Sequence, residues 1–366
     1  MRLPSRRRDV WLVAAFGLLI SLPAVLHLAG LAQTSTRDEL RELAVRPEFP
    51  ANARAWRNFG PRLDAYLADH FGLRPTLLAA AKRLKFAFRL PIAQSVVAGK
   101  DGCLYWGGHE EIEQHSGVRL MTKNEIQVWL DTLRTYHDWL AARGIRFVFV
   151  LAPDKSEIYP ENLPEGIPAG TLTPADQLMA ALKEQGLIDV ADLRDFIRKA
   201  KSLGQIYYKY DSPWKPATAY LGLAKVLEGR WPVALPPLSD YRLDDRPLRG
   251  DLVHLAGLEC CAAEPSESLL RKFADPVVSR TSNTASNQLG YGFVTRHVDY
   301  PSIFLCNDSF GDQWVTPLAD VAYRAVFRRN DMPCQASAVE EEKPALFIFE
   351  TAQRRLSEPP QPLGLP

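Results

Sequence analysis

The chain has 366 residues, with 44 Lys and Arg residues against 43 Asp and Glu residues, and its formal net charge is +1. This balance lacks the positive excess typical of nucleic-acid-binding proteins, so we expect no nucleic-acid partner. Hydrophobic residues make up 46% of the chain, an ordinary fraction for a globular protein.

The first predicted element is a membrane span at residues 10–32, an uncharged run that reaches roughly 34 Å as a helix. The tail before it, residues 1–9, contains four arginines, and such a positive flank usually stays in the cytoplasm. We therefore predict a single-pass signal anchor with the bulk of the chain on the non-cytoplasmic side. A cleaved signal peptide is the alternative, because Gly30-Leu31-Ala32 has the small residues of a cleavage site, although such peptides have apolar cores of only about 7–15 residues.

A proline-punctuated stalk is predicted next, over residues 33–61. Apolar residues at helical spacing then predict two helices, one that ends at Gly72 and one that runs from Pro75 to Phe86. We assign residues 62–356 to the main domain and residues 357–366 to a proline-rich tail.

In the main domain, predicted strands alternate with predicted helices. A hairpin is expected between Ser95 and Trp106, and Thr122 and Glu125 form a capping box at the start of a helix. The run from Ile145 to Ala152 is apolar enough for a buried parallel strand. Further strands are predicted at 187–190, 206–208, 302–306 and 345–349, and further helices at 174–184 and 216–227 and up to residue 203. The alternation predicts a three-layer α/β domain with a mostly parallel sheet.

Polar segments follow three of the predicted strands: Pro153-Asp154-Lys155, residues 209–214 and residues 307–311. Ligands of parallel sheets gather at the carboxyl ends of strands, so we expect the functional site there. Asp308-Ser309 resembles the nucleophile block of SGNH hydrolases, in which a serine at a strand-to-helix turn uses its own N–H as part of an oxyanion hole. A helix N-cap is the structural alternative.

Several segments, taken in order, resemble the alginate O-acetyltransferases of the AlgJ/AlgX kind. The matching segments are Asp69–Arg74, Val97–Tyr105, Ala152–Lys155, Gly250–Leu252 and Asp308–Phe310. The resemblance implies an SGNH hydrolase-like domain with permuted block order, held at the bacterial inner membrane and lying in the periplasm. It also implies O-acetylation of an exported polysaccharide by a serine acyl-enzyme, with no cofactor and with a membrane-bound O-acyltransferase partner as acetyl donor.

The same resemblance implies an Asp-x-His-Trp block before the serine, but this chain has Pro213 at the histidine position. Proline has no titratable group and cannot serve as the base. The predicted catalytic residues are therefore Ser309, Asp211 and, as a tentative substitute base, His254. The predicted binding residues are Asp308, Lys155, Trp214 and Tyr210; Lys155 is also a more distant candidate base.

Three hypotheses follow from the missing histidine. Another residue supplies the base, or Ser309 and Asp211 retain only slow or altered acyl transfer, or the domain is a catalytically inactive glycan-binding or scaffold subunit of an exopolysaccharide complex. In the last case Trp214, Tyr210 and Trp314 would stack on sugar rings.

Three side-chain patterns complete the prediction. Five cysteines allow one or two disulfides, but their spacing does not give the pairing. No Cys-x-x-Cys or His-x-x-x-His pair occurs, so we expect no metal site. Glu350 and Arg354 are expected to pair across one helical turn.

Overall fold

The computed structural model describes residues 5–28, 44–70, 73–88, 95–248, 250–258, 262–283 and 290–364. The chain divides into two compact units. The N-terminal unit comprises Met1–Ile92 and Ala256–Cys261, and the sheet unit comprises Ala93–Leu255 and Ala262–Pro366. The predicted main domain, residues 62–356, includes parts of both.

The described residues of the N-terminal unit include the helices α1 (Ser5–Leu28), α2 (Ala53–Asp69) and α3 (Arg74–Ala87). The predicted helix pair is confirmed, but α2 begins eight residues before Pro61, where the stalk was expected to end. Asn52 explains the earlier start, because its side chain accepts a hydrogen bond from the Ala55 N–H at 2.9 Å.

Within the described part of the chain, no helix combines the length and the apolar character needed to span a bilayer. The predicted span, residues 10–32, continues past the end of α1 into residues outside the described ranges. The membrane anchor therefore stays a prediction.

The elements of the sheet unit follow one another in chain order. Its helices are α4 (Glu111–His115), α5 (Lys123–Ala141), α6 (Lys155–Ile158), α7 (Pro174–Gln185), α8 (Arg194–Ala200), α9 (Pro216–Leu227), α10 (Asp251–Ala256), α11 (Val315–Leu318) and α12 (Ala336–Glu342). Its strands are β1 (Val96–Ala98), β2 (Leu104–Trp106), β3 (Arg146–Ala152), β4 (Val190–Asp192), β5 (Tyr241–Leu248), β6 (Glu264–Arg271), β7 (Val277–Asn283), β8 (Gly290–Thr295), β9 (Ile303–Asn307), β10 (Arg324–Arg329) and β11 (Leu346–Ala352).

A seven-stranded sheet with the order β4-β3-β11-β9-β10-β8-β7 forms the centre of the unit. Its first five strands are parallel, and β8 and β7 extend the sheet in antiparallel fashion. The predicted mostly parallel α/β sheet is confirmed. Because β3, β11 and β9 lie side by side and parallel, the segments that follow them meet at one edge.

Apolar side chains cover both faces of this sheet. One core cluster packs α8 and α9 residues such as Leu223 against Val148 and Leu305. The other packs α5 residues such as Tyr136 against Phe147. Both faces of β3 and β11 are covered, which is why their sequences are apolar runs without alternation.

Two strand predictions are wrong in detail. Residues 206–208 do not join the sheet, and Tyr207 makes only an isolated antiparallel bridge to Trp214. The strand predicted at residues 187–190 begins at Val190 instead.

One disulfide joins Cys306 on β9 to Cys334, as the cysteine count allows. Cys103 is a buried free thiol. Cys260 and Cys261 lie outside the described residues.

Candidate active site

Ser309 lies in the turn that follows β9, and its side chain is partly exposed. The preceding Asp308 is buried, and its carboxylate accepts hydrogen bonds from the N–H groups of Phe310 at 2.9 Å and of Ala352 at 2.7 Å. Asp308 therefore ties the serine turn to the end of the adjacent strand, β11. In the structure these two hydrogen bonds give Asp308 an anchoring role in the turn, and its predicted substrate-binding role stays a prediction.

Glu350 holds the same turn from inside β11. Its Oε2 atom accepts hydrogen bonds from the N–H groups of Asp308 at 3.1 Å and of Gly311 at 3.2 Å. Burial raises the pKa of Glu350, and the neighbouring charge of Asp308 raises it further. A Cβ atom on Gly311 would lie 2.6 Å from the Cβ of Asn307, so only glycine fits at this position.

The N–H groups of the turn therefore differ in whether they have a hydrogen-bond partner. Those of Asp308, Phe310 and Gly311 are bound to carboxylates. Neither the N–H nor the hydroxyl of Ser309 has a hydrogen-bond partner among the described residues. The helical turn Gly311–Trp314 has Phe310 as its N-cap residue, and the Asp308 side chain accepts from the Phe310 N–H just before it, the contact that the N-cap interpretation predicts.

An ionic cluster lies beside the serine turn. Arg354 donates through Nη1 to Asp154 Oδ1 at 2.7 Å, and its N–H binds the other oxygen of the same carboxylate. Glu111 Oε2 lies 3.9 Å from Nη1, and the guanidinium carbon lies 5.2 Å from the Phe310 ring centroid. Burial lowers the pKa of Arg354, but the charges of Asp154 and Glu111 raise it by more. The predicted pairing of Arg354 with Glu350 is therefore wrong.

Asp211 meets a second carboxylate, that of Asp251 at the start of α10. The Asp251 N–H donates to Asp211 Oδ1 at 2.8 Å, and Ser212 donates to Asp251 through its N–H at 2.8 Å and through its hydroxyl. Burial and the Asp251 carboxylate raise the pKa of Asp211 from 3.8 to about 7. A Cβ atom on Gly250 would lie 2.0 Å from the Tyr210 carbonyl oxygen, so glycine is required for this close approach. The sequence indicated the segment around Asp251 but not its contact with Asp211.

The indole of Trp214 joins the Asp211 loop to the serine turn. Its Nε1 donates to the Phe310 carbonyl at 3.2 Å, and the two ring centroids lie 5.2 Å apart. Trp214 and Trp314 are both completely buried. The prediction that they stack on sugar rings is wrong, because neither ring has a free face. Pro213 is also buried, immediately before Trp214.

The remaining predicted site residues differ in accessibility. Lys155 is buried, its Nζ donates to the carbonyls of Leu104 at 2.7 Å and Lys209 at 3.3 Å, and burial lowers its pKa to about 8. Its predicted binding role is therefore wrong, since the ammonium group is held inside the protein. Tyr210 is partly exposed.

His254 is exposed on α10, three residues after Asp251. Side chains three apart on a helix are neighbours, so His254 lies one turn from the Asp211–Asp251 pair. Among the described residues, no group of three or more His, Cys, Asp or Glu side chains is arranged to hold a metal ion.

Comparison with known proteins places this geometry in context. Residues 96–297 match the family model of the SGNH hydrolase-like domain of acetyltransferase AlgX, a range that contains Asp211 and His254 and ends before Ser309. A probable alginate O-acetylase AlgJ of Pseudomonas syringae is 26% identical over 196 residues, 51% of this chain. The chain spans about half of that relative's length, 48%.

Two solved structures share the fold. Bacillus cereus PatB1 superposes with a TM-score of 0.54 at 14% identity, over 71% of this chain and 96% of that one. The O-acetyltransferase domain of Pseudomonas putida AlgJ superposes with a TM-score of 0.52 at 17% identity, over 72% of this chain and 92% of that one. At these identities the likeness establishes the fold alone.

Proposed function

Because the chain belongs to the family of SGNH hydrolase-like acetyltransferase domains, as its motifs predict, we propose that it transfers acetyl groups to a polysaccharide through Ser309. The observation that carries the proposal is the hydrogen bonding of the serine turn. Asp308 and Glu350 bind three of its N–H groups, while the N–H and hydroxyl of Ser309 have no partner in the described chain. A turn that is rigid everywhere except at one partly exposed serine is suited to nucleophilic attack.

The reaction proceeds in two steps at Ser309. Its oxygen attacks the carbonyl carbon of an acetyl donor, the hydroxyl proton passes to a base, and the donor's alcohol or thiol leaves with a proton. The Ser309 N–H donates to the oxyanion that forms on the carbonyl oxygen. A sugar hydroxyl then attacks the acetyl-serine, its oxygen gains the acetyl group, and Ser309 regains its proton.

The base belongs to the group formed by Asp211, Asp251 and His254. A carboxyl group with a pKa near 7 can accept a proton at neutral pH through one intervening water. Histidine is the side chain that most often serves as a general base, and His254 lies one helical turn from Asp251. Either route replaces the histidine that Pro213 removes. Both predict slower turnover than a direct serine–histidine contact, because removing a triad histidine costs about 10⁴–10⁶ in turnover.

The setting of the reaction is the periplasmic face of the bacterial inner membrane. The uncharged run at residues 10–32 serves as the single-pass anchor, and the arginines before it favour an N-terminus in the cytoplasm. The described apolar side chains of α1 are exposed, among them Trp11 and Phe16, which suits a helix surrounded by lipid. A membrane-bound O-acyltransferase then supplies the acetyl groups.

Acetate release from a chromogenic acetyl ester and from an acetylated polysaccharide tests the proposal with the purified full chain. We expect measurable release that Ser309→Ala abolishes and that the neighbouring Ser302→Ala leaves unchanged. Pro213→His should raise release by about 10²–10⁴, the usual contribution of a positioned base. Release that is equal in wild type and Ser309→Ala would refute acyl transfer at this serine.

A second function is favoured by the burial of Pro213 and by the engagement of Asp211 with Asp251. Under it, the domain binds the glycan or assembles an export complex without catalysis. Wild type and Pro213→His would then both be inactive, while oligosaccharide binding measured by calorimetry would persist in Ser309→Ala.

A further inference from the structure

Three aromatic rings at the start of α2 form a cluster that protrudes into solvent. The centroids of Phe49, Trp56 and Phe59 lie 5.6–5.8 Å apart in edge-to-face pairs. Phe49 is nevertheless 81% exposed and Trp56 is 54% exposed. Rings of this size are normally buried in a core or at an interface, so an exposed and ordered cluster marks a binding surface.

The aromatic cluster continues into an apolar stripe along α2. Trp56, Phe59, Leu63 and Leu67 follow one another at spacings of three or four residues and therefore share one helix face. A cavity of about 690 Å³ lies along this stripe, and Phe49, Phe59, Leu63 and Leu67 are among its lining residues. Leu67 is itself 56% exposed.

The segment before α2, residues 44–52, is hydrogen-bonded to the helix at both ends. Asn52 caps the first turn, and the Ala44 N–H donates to the buried Asp69 carboxylate at 2.8 Å. These contacts fix Phe49 beside Trp56. The surface is thus built in advance of any partner.

This region carries a net positive charge, whereas the residues that follow it carry a net negative charge. Residues 44–88 contain eight basic and three acidic residues, and one of the three, Asp69, is buried. Residues 89–366 contain 30 basic and 36 acidic residues. Arg46, Arg57 and Arg62 are all exposed beside the aromatic cluster.

We infer that the aromatic cluster and these arginines dock α2 on the surface of an anionic lipid bilayer. Aromatic rings favour the headgroup region, apolar stripes enter the acyl boundary, and basic side chains are attracted to anionic headgroups. Fifteen residues lie between Leu28 and Ala44, a chain span of at most about 55 Å, so α2 stays within reach of a membrane that holds α1. The inference rests on the membrane location in the proposed function.

Tryptophan quenching by brominated lipid tests the inference with the full chain in vesicles. The vesicles contain phosphatidylcholine alone or phosphatidylcholine mixed with phosphatidylglycerol. Trp56→Phe isolates the signal of α2, and Trp11→Phe isolates that of α1. We expect bromine to quench Trp56 in the phosphatidylglycerol vesicles and less in phosphatidylcholine alone, with the difference falling as salt is added.

The two tryptophans distinguish the possible failures. Quenching of Trp11 without quenching of Trp56 in either vesicle would leave the anchor intact and overturn docking by α2, as expected if a protein partner covers the cluster. Quenching of Trp56 alone would support the docking surface and refute the anchor. Quenching of neither would overturn both.

Arginine variants test the electrostatic part of the inference. Each of Arg46→Ala, Arg57→Ala and Arg62→Ala should lower the ratio of docked to undocked α2 about fivefold in phosphatidylglycerol vesicles. Arg134→Ala removes an exposed arginine of the sheet unit and should leave the ratio unchanged. Equal effects of all four substitutions would show that the aromatic cluster is not a site of directed lipid contact.

Discussion

The serine side and the base side of the candidate site are built in different ways. On the serine side, the buried carboxyl groups of Asp308 and Glu350 accept hydrogen bonds from backbone N–H groups before and after Ser309. On the base side, Asp211 in a loop meets Asp251 at the start of α10, both residues are partly exposed, and burial together with Asp251 raises the pKa of Asp211. The turn around the proposed nucleophile is thus fixed by buried carboxyl groups, while the proposed proton acceptor lies in a carboxyl pair that solvent reaches. The two sides should respond differently to substitution.

The largest loss of stability is expected when the ionic cluster beside the serine is broken. Asp154→Ala leaves the buried Arg354 guanidinium without its hydrogen-bonded carboxylate partner, which costs about 3–5 kcal/mol of the free energy of unfolding. Urea titration measures this loss. Adding Arg354→Met to Asp154→Ala should restore part of the stability, because the buried guanidinium without its carboxylate partner is removed, and a double variant as unstable as the single one would contradict this account.

The disulfide between Cys306 on β9 and Cys334 should contribute nearly as much to the free energy of unfolding. Replacing Cys306 and Cys334 together by alanine opens a link between residues 28 apart, worth about 3.5 kcal/mol in the loop-entropy description. The double variant and wild type are compared by urea titration without reductant. Cys103→Ala, which removes a free thiol, is the matched control and should cost about 1 kcal/mol. Equal losses would argue against a special role of the bridge.

Substitution of Glu350 removes contacts to the serine turn and leaves every other charged side chain in place. Glu350→Ala leaves the N–H groups of Asp308 and Gly311 unsatisfied and should cost about 2–3 kcal/mol. Glu350→Gln retains an oxygen acceptor and should cost less than about 1 kcal/mol, because the buried carboxyl group is already favoured in its neutral form. Acetate release should fall with Glu350→Ala and survive Glu350→Gln, and identical behaviour of both variants would remove the turn from the mechanism.

The smallest expected effect is on how the free energy of unfolding depends on pH, and it comes from Asp211 on the base side. Because the folded pKa of Asp211 is raised from 3.8 to about 7, the stability it confers is complete below about pH 4 and is lost as pH rises through 7. Asp211→Asn should therefore flatten the decline of the free energy of unfolding between these values, whereas the exposed Asp131→Asn should not. An unchanged slope in Asp211→Asn would show that Asp211 and Asp251 do not share a proton.

The fold was largely readable from the sequence because its central strands are continuous apolar runs. β3 and β11 are buried on both faces, which excludes a half-exposed strand or a surface helix. No strand was predicted at β5, β6, β7, β8 or β10. In β8, Gly290 and Gly292 weaken the strand pattern, and in β10 the apolar run is only three residues long. Residues 206–208 look like a strand but lie in a loop, because Tyr207 is buried by packing against Phe310 and not by a sheet.

For the candidate site, too, some features follow from the sequence and others only from the tertiary structure. The sequence by itself determined the identity of Ser309 and its place after a buried strand, and the absence of the family histidine at Pro213, because these depend on neighbours along the chain. Only the tertiary structure decided that Asp251 binds Asp211, 40 residues away, and that Arg354 binds Asp154 across 200 residues. It also decided that Trp214 is a core residue. Such contacts depend on which strand ends become adjacent when the sheet forms, and no local pattern encodes that adjacency.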